Sequence, residues 1–473
     1  MDKLAILGGP VPETTIPVSQ PTLPPYEVYA GHLEKIFASR MITNGRWVRE
    51  LEARAAAYLG CSEVVAMASA TSGLVLLPKV LGLTGEACLP TFTFPATLHA
   101  LLWNGLRPRL IDCDPDTFNL DPASAVAALA HGGSALVPVY IFGNSPDWDS
   151  LRPLLARADL AVYSDAAHAM GTRWGDTMAG NFGRAEIFSL APTKVTVAGE
   201  GGLVATNDRA LAAELRVARE YGNPGDYDCR LAGMNARLSE LHSLLASLSL
   251  EMTEQAIARR HALVERYRAG LRDLPGCRFQ AIDPRCRTTY NYFAVRLNPE
   301  RFGLTNVETQ DALKKQGIQS KIYFAPPLHR QTRFTHLFEG QGPFPGTELL
   351  LSEILCLPLF SHMEESTLDA VVETVRACHL RAEEIRVALE GSGLAQGVMK
   401  IVGETLGRAL DLKVDGARPL RDLGLGSLRM IRLISDLEAT FSIEIGDEDV
   451  VGENFETLDL LIRFVERKAG GRS

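Results

Sequence analysis

The sequence has 473 residues, with 48 Lys and Arg against 57 Asp and Glu, which gives a net charge of −9 at pH 7. This acidic balance argues against nucleic-acid binders and basic membrane-surface proteins, since both need clustered positive charge. We find no apolar run of about 18 residues and no secretory leader, and eight scattered cysteines without a C-x-x-C pair. We therefore expect a multi-domain cytoplasmic protein with reduced thiols and no metal site.

The first 245 residues alternate short apolar runs with helical patterns and glycine-rich turns. Runs such as Val64–Met67, Glu86–Leu89 and Ile187–Ser189 predict buried strands. This alternation is typical of an α/β domain with a mostly parallel sheet, in which ligands bind at the carboxyl ends of the strands. We therefore predict a large ligand-binding domain over residues 1–245.

A long helical stretch follows from Glu240 to Leu271, without glycine or proline until Gly270. Its length is sufficient to bridge two domains. The strand-like run Tyr290–Leu297 and the helix-like run Thr367–Leu380 then predict a smaller α+β domain over residues 246–385.

The composition and hydrophobic pattern of the sequence change after residue 385. Residues 386–397 include GSGLAQG, whose Gly/Ser-rich makeup predicts a flexible linker. Residues 398–468 predict a small all-α bundle, since apolar side chains recur there at helical spacing. These apolar positions are Ile431, Leu433, Ile434, Leu437 and Phe441.

The stretch from residue 165 to residue 202 contains the main candidates for catalytic and cofactor-binding residues. Asp165 closes one apolar run, Ser189 closes another, and Lys194 follows shortly before the glycine-rich segment GEGG. Pyridoxal phosphate (PLP) needs a lysine amine for covalent attachment and a carboxylate beside its pyridine nitrogen. It also needs hydroxyls and helix-start amides for its phosphate, and an aromatic or apolar plate against its ring. This order of residues predicts a PLP site.

Each of these features alone also fits an ordinary structural role. A strand-end aspartate commonly caps a turn, and a lysine is normally a solvated surface charge. The turn ASATSG fits a plain strand-to-helix connection with a hydroxyl cap, and Phe94 fits a core position. Their joint occurrence in this chain order favours the cofactor site.

Several longer segments resemble the DegT/DnrJ/StrS family of PLP-dependent sugar aminotransferases over residues 1 to about 380. The segments are LAILGGPVPE, MITNGRWVRELEARAAAYLG, ASATSGL, LPTFTFPATLHALLWNGLRPRLIDCDPDTFNL, SDAAHAMG, FSLAPTKVTVAGEGGLVATND, GMNARLSELHSLL, IYFAPPLHRQ and LCLPLF. The resemblance implies the fold-type I architecture of PLP enzymes, with a mostly parallel sheet in the large domain and a small α+β domain.

The resemblance assigns roles to individual residues. It makes Lys194 the lysine that holds PLP and moves the proton during catalysis, Asp165 the partner of the pyridine nitrogen, and His168 the neighbour of the phenolic oxygen. Phe94 is expected to stack on the ring. The phosphate ligands implied are Thr71, Ser72 and Ser189, together with Asn235 from the neighbouring subunit of a homodimer with shared active sites. Further candidates, near the substrate, are Tyr323, His329 and Arg237.

The lysine itself bears on the reaction type. Some family members have a histidine in its place and act as dehydratases, whereas this sequence has Lys194. The resemblance therefore implies transamination, with Glu or Gln as the amino donor and a keto or aldehyde acceptor. A PLP-dependent lyase or dehydratase remains an alternative, as does a non-catalytic regulator or scaffold that uses this fold.

The stretch DLGLGSLRMIRLISDLEATFSIEI resembles the serine motif of acyl and peptidyl carrier proteins. The match makes Ser427 the attachment point of a 4′-phosphopantetheine arm, which implies a phosphopantetheinyl transferase and acyl-loading enzymes as partners. Carriers most often have aspartate where this sequence has Gly426, and acidic residues where it has Arg429 and Arg432. The alternative is that Ser427 only caps a helix of a small bundle.

Together these features predict an aminotransferase of secondary-metabolite or sugar biosynthesis fused to a carrier domain. The carrier is expected either to present the keto or aldehyde substrate as a thioester, or to serve a later step after a free or nucleotide-linked ketosugar or cyclitol is aminated.

Overall fold

The computed structural model describes residues 4–130, 132–446, 449–450 and 452–470. The chain divides into two compact units. The first is formed by residues 11–380, and the second by residues from 381 onward together with the N-terminal residues up to 10. Both predicted lobes lie in the first unit, which ends at Leu380, and the boundaries at residues 245 and 385 stay predictions.

The first unit contains twelve α-helices among its described residues. They are α1 Tyr26–Ser39, α2 Arg46–Leu59, α3 Ala70–Val80, α4 Pro95–Trp103, α5 Pro122–Leu129, α6 Trp148–Leu155, α7 Arg209–Ala218, α8 Glu240–Leu271, α9 Pro299–Phe302, α10 Asn306–Lys315, α11 Pro345–Glu353 and α12 Glu365–Leu380.

The strands of this unit are short. They are β1 Glu63–Met67, β2 Glu86–Pro90, β3 Arg107–Ile111, β4 Ala135–Leu136, β5 Ala161–Val162, β6 Ser164–Asp165, β7 Arg173–Trp174, β8 Thr177–Met178, β9 Glu186–Ser189, β10 Gly202–Thr206, β11 Cys277–Phe279, β12 Cys286–Arg287, β13 Phe293–Leu297 and β14 Ile354–Leu357.

Two strand groups make the central sheet. One has the order β3-β2-β4-β5 and is parallel throughout, and the other has the order β1-β10-β9-β6. A parallel bridge between Val139 and Asp165 joins the two groups. Only β10 runs antiparallel to both of its neighbours. The predicted mostly parallel sheet is confirmed.

The sheet is buried on both faces, as a parallel sheet between helical layers requires. Side chains alternate between the faces along each strand: Val64 and Ala66 pack into one core, and Val65 and Met67 into the other. Because the strands pack against a core on each face, the loops at their carboxyl ends start from fixed positions. The site described below is built from these loops.

Helix α8 confirms the predicted long helix, residue for residue. It contacts α2 and also α12, so one continuous element packs against both the large-sheet side and the smaller lobe. The smaller lobe adds the antiparallel sheet β11-β13-β14, and a further small sheet has the order β12-β7-β8. This shared helix explains why the contacts do not separate the lobes at residue 245.

The second unit contains five α-helices among its described residues: α13 Ala382–Leu406, α14 Leu412–Asp415, α15 Ser427–Phe441, α16 Gly452–Phe455 and α17 Leu458–Gly470. Helices α13, α15 and α17 contact one another around an apolar core that includes Val402, Leu433, Leu437 and Leu461. The predicted small helical bundle is present. Ile431, which was expected on the apolar face, is 70% exposed.

The predicted flexible linker over residues 386–397 is wrong as to conformation, because these residues lie inside α13. Helix-forming sequence continues on both sides, and Arg386 pairs with Glu383 at 2.6 Å. A glycine in a helix costs about 1 kcal/mol relative to alanine, which the adjoining turns can offset. Close packing also explains why residue 397 is a glycine, since a Cβ there would lie 2.7 Å from the Phe441 ring.

In the described part of the chain, none of the helices combines the length and the apolar character needed to span a membrane.

Candidate active site

A cavity of about 340 Å³ opens at the carboxyl ends of β6 and β9 and beside the turn after β1. Seven of the predicted site residues line it. They are Thr71, Phe94, Asp165, His168, Ser189, Lys194 and Tyr323.

Asp165 ends β6 and is 4% exposed. Its Oδ2 accepts a hydrogen bond from Thr97 Oγ1 at 2.7 Å, and its Oδ1 accepts one from the Ala167 N–H at 3.1 Å. Burial raises the pKa of this carboxyl, while the hydrogen bonds and the nearby Lys194 oppose the rise. Since a carboxylate oxygen can accept more than one hydrogen bond, capacity remains for a further donor.

Lys194 lies on the loop between β9 and β10. Burial lowers the pKa of its amine to about 8, against the opposing effect of Asp165. The loop is fixed to α8, because Ser249 Oγ accepts from the Val197 N–H at 2.9 Å and the Thr196 and Thr253 hydroxyls lie 2.6 Å apart. The structure thus holds a lysine amine that is close to half neutral at pH 8.

His168 follows Asp165 by three residues, and its ring faces the same cavity. The Phe142 N–H donates to Nδ1 at 3.3 Å, and the imidazole makes an edge contact with the Tyr292 ring at 5.4 Å. Burial lowers the pKa of His168 well below its usual range, and the Lys194 charge adds to this effect. The imidazole is therefore neutral at neutral pH.

The turn between β1 and α3 presents the first helical N–H groups and two hydroxyls to the cavity. Ser69 is the N-cap of α3, and Thr71 is exposed into the cavity. Ser72, predicted as a phosphate ligand, completes a capping box, in which its Oγ accepts from the Ser69 N–H at 3.1 Å. The same hydroxyl donates to the Ser69 carbonyl at 2.7 Å. Ser69 lines the cavity and Ser72 does not, and the assignment of Ser72 to the phosphate stays a prediction.

Three further predicted residues lie outside the cavity of the protomer. Asn235 is exposed, and Arg237 pairs with Glu220 at 2.9 Å. His329 has both ring nitrogens engaged, with Nδ1 at 2.7 Å from Thr91 Oγ1 and Nε2 at 2.8 Å from Glu348 Oε1. Both ring nitrogens of His329 thus have partners within the protein, and its contact with the substrate stays a prediction.

Two functional-looking residues were missed. Thr97 lies three residues after Phe94, and nothing in the local sequence PTFTFPAT marks its contact with Asp165. Tyr292 lies directly before β13 and lines the cavity at 5% exposure. No local pattern marks Tyr292, because the fold brings it to Lys194 from a distant part of the chain.

The residues around the cavity fit PLP. A buried carboxylate, a lysine amine of lowered pKa and a helix start with free N–H groups are the donors and acceptors that the cofactor requires. The close approach of the helix start depends on Gly202, since a Cβ there would lie 2.3 Å from the Ala70 backbone nitrogen. Phe94, at 58% exposure, offers an aromatic face at the cavity.

In the second unit, helix α15 begins at Ser427, as the carrier motif predicts. The Ser427 side chain lies outside the described residues. Gly426 precedes it with φ −85°, and a Cβ built there meets no atom within 4 Å. The departure from aspartate at this position is therefore not imposed by the packing.

Comparison with known proteins agrees with this geometry. Residues 27–376 match the DegT/DnrJ/EryC1/StrS aminotransferase family, and residues 396–465 match the phosphopantetheine attachment site.

Individual relatives cover most of the first unit. The pleiotropic regulatory protein of Geobacillus stearothermophilus is 31% identical over 349 residues, 72% of this chain and 92% of the relative. The erythromycin biosynthesis sensory transduction protein EryC1 of Saccharopolyspora erythraea is 30% identical over 350 residues, 72% of this chain and 93% of the relative. The crystal structure of DesI in the presence of its TDP-sugar product is 34% identical, with a TM-score of 0.77 over 81% of this chain and 98% of DesI.

The chain therefore belongs to the DegT/DnrJ/EryC1/StrS family of PLP-dependent aminotransferases, and carries a phosphopantetheine attachment domain at its C-terminal end.

Proposed function

We propose that this aminotransferase transfers the amino group of an amino acid to a keto or aldehyde acceptor held as a thioester on its own carrier domain. The observation that carries the proposal is the presence of both family matches in one chain, residues 27–376 and 396–465. A pantetheine arm is a flexible tether, and tethering raises the effective concentration of a substrate at a neighbouring site.

Bound PLP supplies an electron-withdrawing ring that makes the proton on the amine-bearing carbon acidic. We assign Asp165 to hold the ring nitrogen in its protonated form, since a buried carboxylate stabilises a facing cation. We assign His168 to the side of the phenolic oxygen and Phe94 to the ring face. Thr71, Ser189 and the N–H groups that begin α3 hold the phosphate.

Lys194 is assigned two roles, covalent attachment of the cofactor and proton transfer. An amine with a pKa of about 8 can both hold and release a proton at Nζ near neutral pH. The loop that carries it is pinned to α8 through Ser249 and Thr253, which keeps Nζ in place while the substrates exchange.

We propose that two chains form a homodimer in which Asn235 of each reaches the phosphate site of the other. Exposure of Asn235 outside its own cavity supports this assignment. Arg237 supports the same segment through its ion pair with Glu220. Glutamate or glutamine is proposed as the amino donor, by analogy with the family.

A second candidate acceptor is a free nucleotide-linked ketosugar, with the carrier serving a later step. The similarity to DesI favours it, because the DesI crystal structure was determined in the presence of a TDP-sugar product. The two candidates differ in whether the acceptor is covalently attached to the protein when it is aminated.

Intact-protein mass spectrometry tests the choice. The full chain is treated with a phosphopantetheinyl transferase and a keto-acyl coenzyme A, then supplied with PLP and glutamate. We expect a mass gain at Ser427, followed by the mass change of a ketone converted into an amine. Ser427→Ala should lose both changes, and Lys194→Ala only the second.

Two other results would contradict the proposal. Amination of a free nucleotide ketosugar, with no change on the loaded carrier, would establish the second candidate. Product formation without stoichiometric consumption of the amino donor would instead indicate a lyase or dehydratase.

A further inference from the structure

Two tyrosine phenols meet at the wall of the cavity beside Lys194. The Tyr292 and Tyr323 rings lie with their centroids 5.0 Å apart, and both side chains line the cavity. Thr193, the residue before the lysine, lines the same cavity. Three hydroxyl-bearing side chains therefore line the cavity that also contains Lys194.

The position of Tyr292 is fixed from several sides. Its ring makes edge contacts with His168 at 5.4 Å and with Phe142 at 5.7 Å. It is 5% exposed and lies directly before β13, whose pairing with β14 anchors the backbone. A donor held in this way needs little ordering when a substrate binds, which is the condition for selective recognition.

Both phenols keep their protons at physiological pH. Burial raises the pKa of Tyr292 and that of Tyr323, so each remains a neutral group that can donate a hydrogen bond. A neutral donor in a partly apolar wall pairs well with a neutral oxygen, and a site built to pair with such an oxygen discriminates against an analogue that lacks it. The chemistry of this wall thus matches a hydroxyl or carbonyl oxygen near the reacting ketone.

We propose that Tyr292 and Tyr323 are the specificity-determining residues of the acceptor half-reaction, and that they hold a neutral oxygen close to the ketone of the acceptor. That oxygen is the hydroxyl of a hydroxyketone, as in a sugar or cyclitol, or the thioester carbonyl of a β-ketoacyl group. The inference rests on the aminotransferase activity of this site and is independent of how the acceptor arrives.

The test separates the two half-reactions by absorbance in single-turnover experiments on the full chain loaded with cofactor. The absorbance change of the cofactor-loaded enzyme on mixing with L-glutamate reports the donor half-reaction. The aminated enzyme is then mixed with hydroxyacetone, with an acetoacetyl thioester of N-acetylcysteamine, or with butanone, which lacks the second oxygen. Tyr292→Phe and Tyr323→Phe remove one hydroxyl each and keep the ring contacts.

The matched control is Tyr290→Phe. Tyr290 is also buried and lies two residues away, but its ring packs on His261 at 4.8 Å and it does not line the cavity. The dissociation constant of PLP, measured by fluorescence, provides a second readout that is independent of turnover. We expect it to change less than threefold in all three variants.

For the wild type we expect the single-turnover rate with one oxygen-bearing ketone to exceed the rate with butanone by at least about tenfold. In Tyr292→Phe and in Tyr323→Phe, the rate with that ketone should fall by about 10- to 100-fold. The rate with butanone and the rate of the donor half-reaction should each change less than threefold in these two variants. The preferred ketone tells which kind of oxygen is held. An equal loss in the donor half-reaction, an equal loss with butanone, or no preference in the wild type would overturn the proposal. A wild type that fails in the donor half-reaction would instead refute the activity itself.

Discussion

Thr97 and Asp165 form a buried hydrogen bond between the first turn of α4 and the end of β6, with Thr97 Oγ1 donating to Asp165 Oδ2 at 2.7 Å. The Thr93 hydroxyl lies 3.1 Å from the Thr97 hydroxyl and extends the contact. The bond fixes the orientation of the carboxylate and lowers the pKa of Asp165 against the effect of burial. Thr97 is therefore a positioning residue for the group assigned to the cofactor nitrogen.

We expect Thr97→Val to weaken PLP binding by about tenfold or more, because a hydrogen bond to a charged group contributes about 1.5–3 kcal/mol. The same change raises the pKa of Asp165 further, so affinity for PLP should be lost at a higher pH than in the wild type as the solution is acidified. Fluorescence titration of PLP between pH 5 and 8 measures both effects.

Thr97→Ser is the matched control for this prediction, since it keeps the hydroxyl and removes only the methyl group. It should restore affinity to within about threefold of the wild type. Equal losses in the valine and serine variants would show that Thr97 acts through packing alone.

The lowered pKa of Lys194 leads to a second prediction. In the protein without cofactor, labelling of Lys194 by an amine-specific acylating reagent should rise with pH around a midpoint near 8, since only the neutral amine reacts. Asp165→Asn removes a charge that raises the lysine pKa and should move the midpoint lower. Peptide mass spectrometry after short labelling pulses gives the profile, and a midpoint at about 10, as for a solvated lysine, would contradict it.

A buried carboxyl at the start of β9 contributes to the pH dependence of stability. Glu186 is fully buried, accepts from Tyr140 Oη at 2.6 Å and from the Phe182 N–H at 3.0 Å, and its pKa is raised from 4.5 to about 7 by burial. The folded state thus binds this proton more tightly than the unfolded state. The stability contributed by the group is fully present below about pH 4.5 and is lost as the pH rises through about 7.

Comparison of the wild type with Glu186→Gln isolates this contribution, because the other titrating groups, including Asp165 and His168, are present in both proteins. We expect the stability of the wild type relative to the variant to fall between pH 5 and 7.5, by at most about 1.4 kcal/mol per pH unit. Thermal unfolding of both proteins across this range is the measurement. A difference in Tm that does not vary with pH would exclude the assignment.

Local sequence predicted the parts of the site that follow directly from a strand end. Asp165, Ser189 and Lys194 occur beside recognisable strands, and α8 was predicted in full from a stretch that lacks helix breakers. Thr97 reaches Asp165 from 68 positions away, and Tyr292 is brought beside Thr193 only by the tertiary fold. Such contacts have no local signature, which is why both residues were missed.

The errors in the second unit have a different cause. Spacing alone placed Ile431 on the apolar face of α15, but that helix turns only part of its surface to the core, and Leu433 and Leu437 fill it. Glycine content alone predicted a linker at residues 386–397. Helix-forming sequence on both sides and the packing of Gly397 against Phe441 favour the helix instead.

The start of α15 provides the last prediction. Gly426 is the N-cap of α15, with φ −85° and open space where a Cβ would lie, so Gly426→Asp is sterically free to cap the helix. Aspartate at an N-cap typically stabilises a helix by about 0.5–2 kcal/mol relative to a residue that cannot cap, and by less relative to glycine. We therefore expect a modest gain, of about 1.5- to 2-fold, in hydrogen-exchange protection of α15 amides in the full chain. Gly424→Asp is the matched control, since Gly424 has φ +103°, which aspartate rarely adopts, and its protection should fall. Equal responses of the two variants would mean that added charge, and not capping geometry, determines the stability of this helix start.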